Sequence, residues 1–255
     1  MTPPHAPPHA PPHAYEGGLK DDDTPPPCGR GYRPPPSAHY IRDGQAIHAC
    51  SLARIRACAP ALATLTPPWE RMASKLIQAC AMEDIIHELS WHDSFIPQAC
   101  AALTRGCRIF TDSDMVASGI DRHLLHKSAN IHPDERIISL IKTEAVHRHA
   151  HATQTTRSAA LVERWYQTYG WTQEMVVIGN APTCLFRLMD YLRHTQPSSY
   201  PAVVIAFPVG FVGAARAKQL FIDNYGDSIP YLALKGKRGG SAMAVAALHA
   251  LLHMI

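Results

Sequence analysis

The stretch V-V-I-G-N-A-P-T-C-L-F-R, from Val176 to Arg187, predicts a strand, a tight turn and a helix in immediate succession. The β-branched run that ends at Ile178 is typical of a short buried strand. Gly179 and Asn180 tolerate the backbone of a tight turn, and Pro182 suits the first position of a helix. Such a turn directs backbone N–H groups and the positive end of a helix into the crevice beyond the strand, where open α/β sheets usually bind ligands.

Two further segments repeat this pattern of an apolar strand, a glycine-bearing turn and a helical segment. Val203 to Ala206 leads into F-P-V-G-F-V-G-A, from Phe207 to Ala214. Tyr231 to Leu234 leads into G-K-R-G-G-S-A, from Gly236 to Ala242. Three such turns on one edge of a sheet would form a wide cradle for a polyanion.

Elsewhere the chain alternates helical and strand-like patterns. Tyr40 to Ala59 and Trp69 to Leu89 have apolar residues at helical spacing, and Pro67-Pro68 separates them. Arg108 to Thr111 and Ile137 to Ile141 are two further strand candidates. Five strands that alternate with helices predict an α/β fold with a mostly parallel sheet and helices on both faces.

The first 37 or so residues have a different composition from the rest. Pro3 to Ala14 are three copies of P-P-H-A, and further proline runs follow up to Pro36. Proline at this density favours extended, unpaired backbone, so we expect a disordered tail over residues 1–37 and one folded domain over residues 38–255.

Histidine-rich segments are the candidates for metal binding. His5, His9 and His13 lie in the proline-rich tail, where incidental histidines are the better interpretation. The segment from His147 to His151 reads H-R-H-A-H and has no Cys, Asp or Glu partner that completes a recognisable ligand set. We interpret it as a solvated loop and predict no metal site.

Composition excludes several other classes of protein. The net charge of +3 comes without a run of Lys and Arg, which argues against nucleic-acid binding. Seven cysteines without C-x-x-C spacing indicate reduced thiols rather than disulfides or a zinc site. With no apparent secretory signal and no apolar stretch long enough to span a membrane, the expected location is the cytoplasm.

The three turns also carry a resemblance to a known family. G-N-A-P-T-x-L-F, P-V-G-F-V-G-A and G-x-R-G-G-S-A, in this order, resemble the precorrin-8X methylmutase (cobalt-precorrin-8 methylmutase) family of cobalamin biosynthesis. The resemblance covers roughly residues 38–255. Its upstream motifs are Tyr40 to Gly44, Ser51 to Arg56, Asp112 to Ile120 and Thr156 to Ala160.

This resemblance implies a three-layer α/β/α sandwich, an isomerase activity and a tetrapyrrole substrate. Members of the family move a methyl group from C-11 to C-12 of a corrin-ring precursor, giving hydrogenobyrinate or cobyrinate. The substrate is a macrocycle fringed with carboxylates, which suits a polyanion cradle. The resemblance further implies that no cofactor is needed, because the methyl group migrates within the molecule, and that the protein is a homodimer. It leaves open whether the ring is metal-free or contains cobalt.

The resemblance also suggests which residues bind the substrate. Arginine grips carboxylates well because its guanidinium is forked and permanently charged. Asn180 serves either a ligand or its own turn, and Ser51 and Arg56 share similar faces of a helix. The candidates are Ser51, Arg56, Arg157, Ser158, Asn180, Arg238, Gly239, Gly240 and Ser241.

One position departs from the family pattern where it matters most. The segment K-L-I-Q-A-C-A-M, from Lys75 to Met82, aligns with a family segment that carries the catalytic histidine, and here that position is Gln78. A carboxamide donates a hydrogen bond but is not a general acid. Cys58 and Arg216 also replace family glutamates. The alternative function is therefore a catalytically impaired paralogue that binds corrinoids.

Overall fold

The computed structural model describes residues 41–255, so the tail over residues 1–37 and its histidines lie outside the described residues. The chain divides into two units, residues 1–49 and residues 50–255. The described part of the first unit only begins the first helix, and the sheet and its helices belong to the second. The domain boundary near residue 38 stays a prediction.

Helices account for most of the regular structure. They are α1 (Gly44–Cys58), α2 (Pro67–Cys80), α3 (Phe95–Thr104), α4 (Asp114–Gly119), α5 (Arg122–Ala129), α6 (Pro133–Arg136), α7 (Glu144–Ala152), α8 (Arg157–Tyr169), α9 (Pro182–Leu192), α10 (Ala214–Tyr225) and α11 (Ser241–Leu252). The strands are β1 (Leu89–Trp91), β2 (Ile109–Thr111), β3 (Ile137–Ile138), β4 (Met175–Ile178), β5 (Val203–Ala206) and β6 (Tyr231–Leu234).

The strands form one six-stranded sheet in the order β1-β6-β5-β4-β2-β3. Every pairing is parallel except that of β1 with β6. The predicted α/β fold with a mostly parallel sheet is therefore confirmed, and the five predicted strands are all present. The strand predicted to reach Ile141 ends at Ile138, and β1 is an additional edge strand.

Helices cover both faces of the sheet. Along β4, Met175 and Val177 join a core cluster with α2, α3 and α11, whereas Val176 and Ile178 join a second cluster with α8, α9 and α10. All four side chains are fully buried. Alternate residues of a strand point to opposite faces, so a central sheet between two helical layers gives the expected three-layer sandwich.

Two local predictions are wrong. The helix expected over residues 69–89 begins at Pro67 and ends at Cys80, because Ala81 takes the left-handed conformation with φ of 53°. A 3-10 turn, Glu83–His87, and strand β1 follow.

The segment from His147 to His151 is not a solvated loop but most of α7. The Thr143 hydroxyl accepts a hydrogen bond from the Val146 N–H at the start of this helix. Val146 and Ala150 are buried four residues apart, which ties one helical face to the core.

The described part of the chain has neither a cluster of metal ligands nor a membrane-spanning helix. Within residues 41–255, no group of three or more His, Cys, Asp or Glu side chains could hold a metal ion. No helix in this range is long and apolar enough to cross a membrane.

Candidate functional site

The turns that follow β4, β5 and β6 lie side by side at the carboxyl edge of the sheet. The Val209 N–H donates to the Asn180 carbonyl at 3.2 Å, and the Gly210 N–H donates to the Lys237 carbonyl at 3.0 Å. The Gly240 N–H donates to the Phe207 carbonyl at 2.9 Å. These backbone bonds join the three turns, so they form one continuous surface.

The first turn, Gly179 to Ala181, is closed by a carboxylate of the protein itself. Asp112, which directly follows β2, accepts hydrogen bonds from the N–H groups of Gly179, Asn180 and Ala181 at 2.9, 2.8 and 2.7 Å. Its side chain is fully buried. Burial raises the pKa of Asp112 above its ordinary value, and the three N–H donors oppose that rise. These amides are occupied, and the expectation that they would meet a ligand anion is corrected.

Asn180 itself is exposed, and its backbone is what the turn uses. Ser241, the first residue of α11, is buried, and its hydroxyl lies 3.4 Å from that of Ser113. This contact links the turn after β2 to the start of α11. The carboxyl ends of β2, β4, β5 and β6 thus all contribute to the same edge of the sheet.

Arg238 in the third turn is held by two carboxylates. Its guanidinium lies 2.9 Å from Asp84 and 2.7 Å from Glu88. These bonds fix the third turn against the segment before β1. Arg238 is therefore already engaged, which leaves it fewer donors for a substrate carboxylate than the sequence suggested.

The glycines that follow Arg238 permit close backbone packing. Gly239 has φ of 157°, and a Cβ atom there would lie 2.3 Å from the Phe207 carbonyl oxygen. Gly240 has φ of 125° and opens α11 as its N-cap. A side chain at position 239 would separate the second and third turns.

Lys218 supports the third turn from below. Its ammonium group donates to the Arg238 carbonyl at 2.5 Å, and the whole residue is inaccessible to solvent. Burial lowers the pKa of Lys218 to about 8, and the charge of Glu88 acts in the opposite direction. A lysine at this place in α10 therefore carries a charge at neutral pH at a cost in stability.

We expect the stability of the fold to rise with pH between about 8 and 10.5 because of Lys218. The pKa in the folded chain is below the ordinary value of 10.5, so in this window the unfolded chain binds more protons. Full deprotonation should relieve about 3 kcal/mol. Urea unfolding at pH 7 and pH 10 measures the difference, and Lys218→Met should lack it. An equal rise in the variant would contradict this assignment.

Ser51 and Gln78 lie together on α1 and α2. The Gln78 side-chain amide donates to the Ser51 hydroxyl at 3.4 Å. Four residues after Gln78, the Met82 sulfur lies 3.8 Å from the Arg238 guanidinium. The segment that directly follows α2 therefore contacts the third turn.

Arg56 does not lie near the contact between Ser51 and Gln78. Its guanidinium pairs with Glu70 at 2.7 Å, in the first turn of α2. Glu70 is eight residues from Gln78, which corresponds to about 12 Å along a helix. Arg56 therefore stabilises the contact between α1 and the start of α2.

The T-R-S segment lies beside the first turn. The Thr156 hydroxyl donates to that of Thr183, in the first turn of α9, at 2.9 Å. Arg157 is exposed, with its guanidinium 3.2 Å from a ring nitrogen of His147, and Ser158 is half-buried. Arg157 is thus near the carboxyl edge and accessible to a ligand.

The second turn carries exposed apolar side chains that the sequence analysis did not select. Val209, Phe211 and Val212 are 40%, 88% and 90% exposed, and we call these three residues the apolar tip. The Lys237 ammonium lies 4.7 Å from the centre of the Phe211 ring. The sequence could have predicted this exposure, because apolar residues that lie between glycines in a turn are seldom able to pack into the core.

Comparisons with known proteins agree on one family. The profile described as "Precorrin-8X methylmutase" matches residues 46–254. The chain is 42% identical over 213 residues to "Precorrin-8X methylmutase" of Pseudomonas aeruginosa, covering 83% of this chain and 96% of the relative. It is 31% identical over 223 residues to "Cobalt-precorrin-8 methylmutase" of Salmonella typhimurium, covering 84% and 97%. The solved precorrin-8X methylmutase from Thermus thermophilus superimposes with a TM-score of 0.71 at 27% identity, covering 83% and 96%.

Proposed function

The chain belongs to the precorrin-8X methylmutase family, and from that premise we propose that it is an isomerase of cobalamin biosynthesis. It moves a methyl group from C-11 to C-12 of precorrin-8X or cobalt-precorrin-8. The match over residues 46–254 carries this conclusion, because it includes every turn of the carboxyl edge. The alternative, a corrinoid-binding paralogue without activity, gains no support over the isomerase from the relatives.

The carboxyl edge supplies the groups that such a substrate requires. Arg157 is an exposed cation beside the first turn and pairs with a ring carboxylate. Asn180, which is exposed, and Ser158, which is half-buried, offer further hydrogen bonds to the substrate. Gly239 and Gly240 let the third turn approach the ring closely, and the candidates Arg238 and Ser241 orient that turn through their own contacts.

The reaction is an intramolecular rearrangement and needs no redox partner. The bond from the methyl group to C-11 breaks as its bond to C-12 forms, so no atom is gained or lost. A proton or hydrogen bond on a ring nitrogen favours the shift, because it withdraws electron density from the ring. We assign the donor position to Gln78, whose amide donates to the Ser51 hydroxyl at 3.4 Å. The amide polarises the ring by hydrogen bonding and transfers no proton.

Two further properties belong to this proposal. The chain acts as a homodimer, as the family resemblance implies, and sedimentation of the purified protein tests this. It works in the cytoplasm, the compartment in which its substrate would be made, and fractionation of the source cells tests the location. Arg56, which pairs with Glu70, is given no part in substrate binding in this proposal.

The direct test is to incubate the purified full chain with precorrin-8X and, separately, with cobalt-precorrin-8. Formation of hydrogenobyrinate or cobyrinate, followed by the visible spectrum and by mass and NMR identification of the product, is the expected result. Substrate and product are isomers, so NMR must locate the methyl group at C-12. Tight binding of both substrates without any product would instead favour the inactive paralogue.

A further inference from the structure

The most exposed apolar side chains in the described part of the chain gather at one edge of the sheet. Val212 and Phe211 are the two most exposed large apolar residues in residues 41–255, at 90% and 88%, and Met115 follows at 72%. Phe211 and Val212 lie on the turn after β5, and Met115 lies in the first turn of α4, just after β2. Both turns lie at the carboxyl edge. Large apolar groups collected in one place usually mark a binding surface.

The apolar tip is held in place from beneath. The Val209 N–H and the Gly210 N–H are bonded to carbonyls of the first and third turns, at 3.2 and 3.0 Å. Gly210 and Gly213 flank Phe211 and Val212 with φ of 141° and 84°. This backbone projects the two side chains outward, where collapse onto the core would have buried them.

A positive charge, that of Lys237, lies against the apolar tip. Lys237 lies over the Phe211 ring, and its ammonium makes no ion pair with any residue between 41 and 255. Lys235 and Arg216 are exposed on the neighbouring turn and at the start of α10. An apolar surface with cations at its border fits a flat apolar ring with carboxylates on its rim, and it fits a strongly apolar partner less well.

We propose that Phe211 and Val212 contact the flat face of the macrocycle and that Lys237 binds one of its peripheral carboxylates. This inference rests on the proposed function and adds to it a ring-binding surface separate from the T-R-S segment. Lys237 moves from the face of Phe211 to the carboxylate, and the ring of the ligand takes its place. Apolar contact and a charge pair thus act on the same ligand from adjacent residues.

The test is a titration of the full chain with hydrogenobyrinic acid, followed by the visible spectrum of the ligand. Phe211→Ser and Val212→Ser should each raise the dissociation constant by roughly ten- to a hundredfold. Lys237→Met should weaken binding and reduce its dependence on salt. Ile255→Ser is the matched control, because Ile255 is also exposed, at 48%, and follows the far end of α11. None of the four changes should shift the unfolding midpoint.

The apolar tip could be covered by the ligand or by a second copy of the chain, and sedimentation of each variant distinguishes the two. Unchanged affinity in all tip variants would overturn the inference. It is also overturned if affinity falls only when self-association is lost and returns at protein concentrations that restore it. If the unmodified chain does not bind hydrogenobyrinic acid at all, both the proposed function and the inferred role of the apolar tip are wrong. If the unmodified chain binds and the tip variants bind equally well, only the inferred role of the apolar tip is wrong.

Discussion

Gln78→His raises the rate of methyl migration by roughly a hundred- to ten-thousandfold, which is the usual contribution of a positioned general acid. The physical reason is that imidazolium transfers a proton near neutral pH, whereas a carboxamide donates only a hydrogen bond. The position is suited to this role, because Gln78 lies near the Ser51 hydroxyl and the segment that follows its helix contacts Arg238 in the third turn. Single-turnover kinetics with precorrin-8X measure the change in rate.

The pH profile gives a second and independent measure of the same variant. Its rate should gain a dependence on a group that titrates near the ordinary histidine pKa of about 6.5, and should fall as pH rises through that value. Gln78→Asn is the matched control, since it keeps the carboxamide and brings no titratable group. If the unmodified chain, the histidine variant and Gln78→Leu all turn over equally fast, another residue transfers the proton and Gln78 has no part in the reaction.

Asp112→Ala lowers the free energy of unfolding by about 3 to 5 kcal/mol, since several buried N–H groups lose their acceptor together. Gly179, Asn180 and Ala181 all donate to this one carboxylate, which is fully buried. Urea unfolding measures the loss. Hydrogen exchange at the three amides should become faster than in the unmodified chain, while exchange in β4 is less affected.

Two neighbouring substitutions calibrate the effect. Ser113→Ala removes the adjacent N-cap, which accepts from the Val116 N–H, and should cost about 1 kcal/mol. Asp112→Asn keeps the shape and one acceptor but turns an N–H₂ group toward backbone donors, so its cost should lie between those of the two alanine variants. If Asp112→Ala is no more costly than Ser113→Ala, water replaces the carboxylate and the turn does not depend on it.

The parts of the fold that local sequence determines were predictable. Each strand before a glycine-bearing turn is four residues of apolar sequence, and each proves fully buried or nearly so. The end of α2 was not predictable, because Ala81 takes a left-handed conformation without glycine or asparagine to signal it. Strand β1 is three residues long and exists through its pairing with β6, which propensity does not reveal.

The sequence motifs predicted where the site lies, but they did not predict which side chains contact each other there. The sequence marked Asp112 only as the first residue of the motif from Asp112 to Ile120, and not as the acceptor for the first turn, because its partners lie 67 to 69 residues further along the chain. Arg238 was selected as a ligand for substrate, and the structure gives it two carboxylates from a segment about 150 residues away. Such pairings arise from the topology of the sheet. Neither the hydrophobic periodicity nor the residue types of the turns can predict these long-range pairings.

The ion pair between Arg238 and Glu88 affects when parts of the chain can fold during synthesis. These residues are separated by 150 positions, and β1 likewise pairs with the last strand of the sheet. During synthesis from the amino end, β1 leaves the ribosome long before β6 exists, and it must wait unpaired until the chain is almost finished. High contact order of this kind slows folding. The third turn therefore cannot form before β6 has been made, and a nascent chain that stops short of residue 231 lacks it altogether.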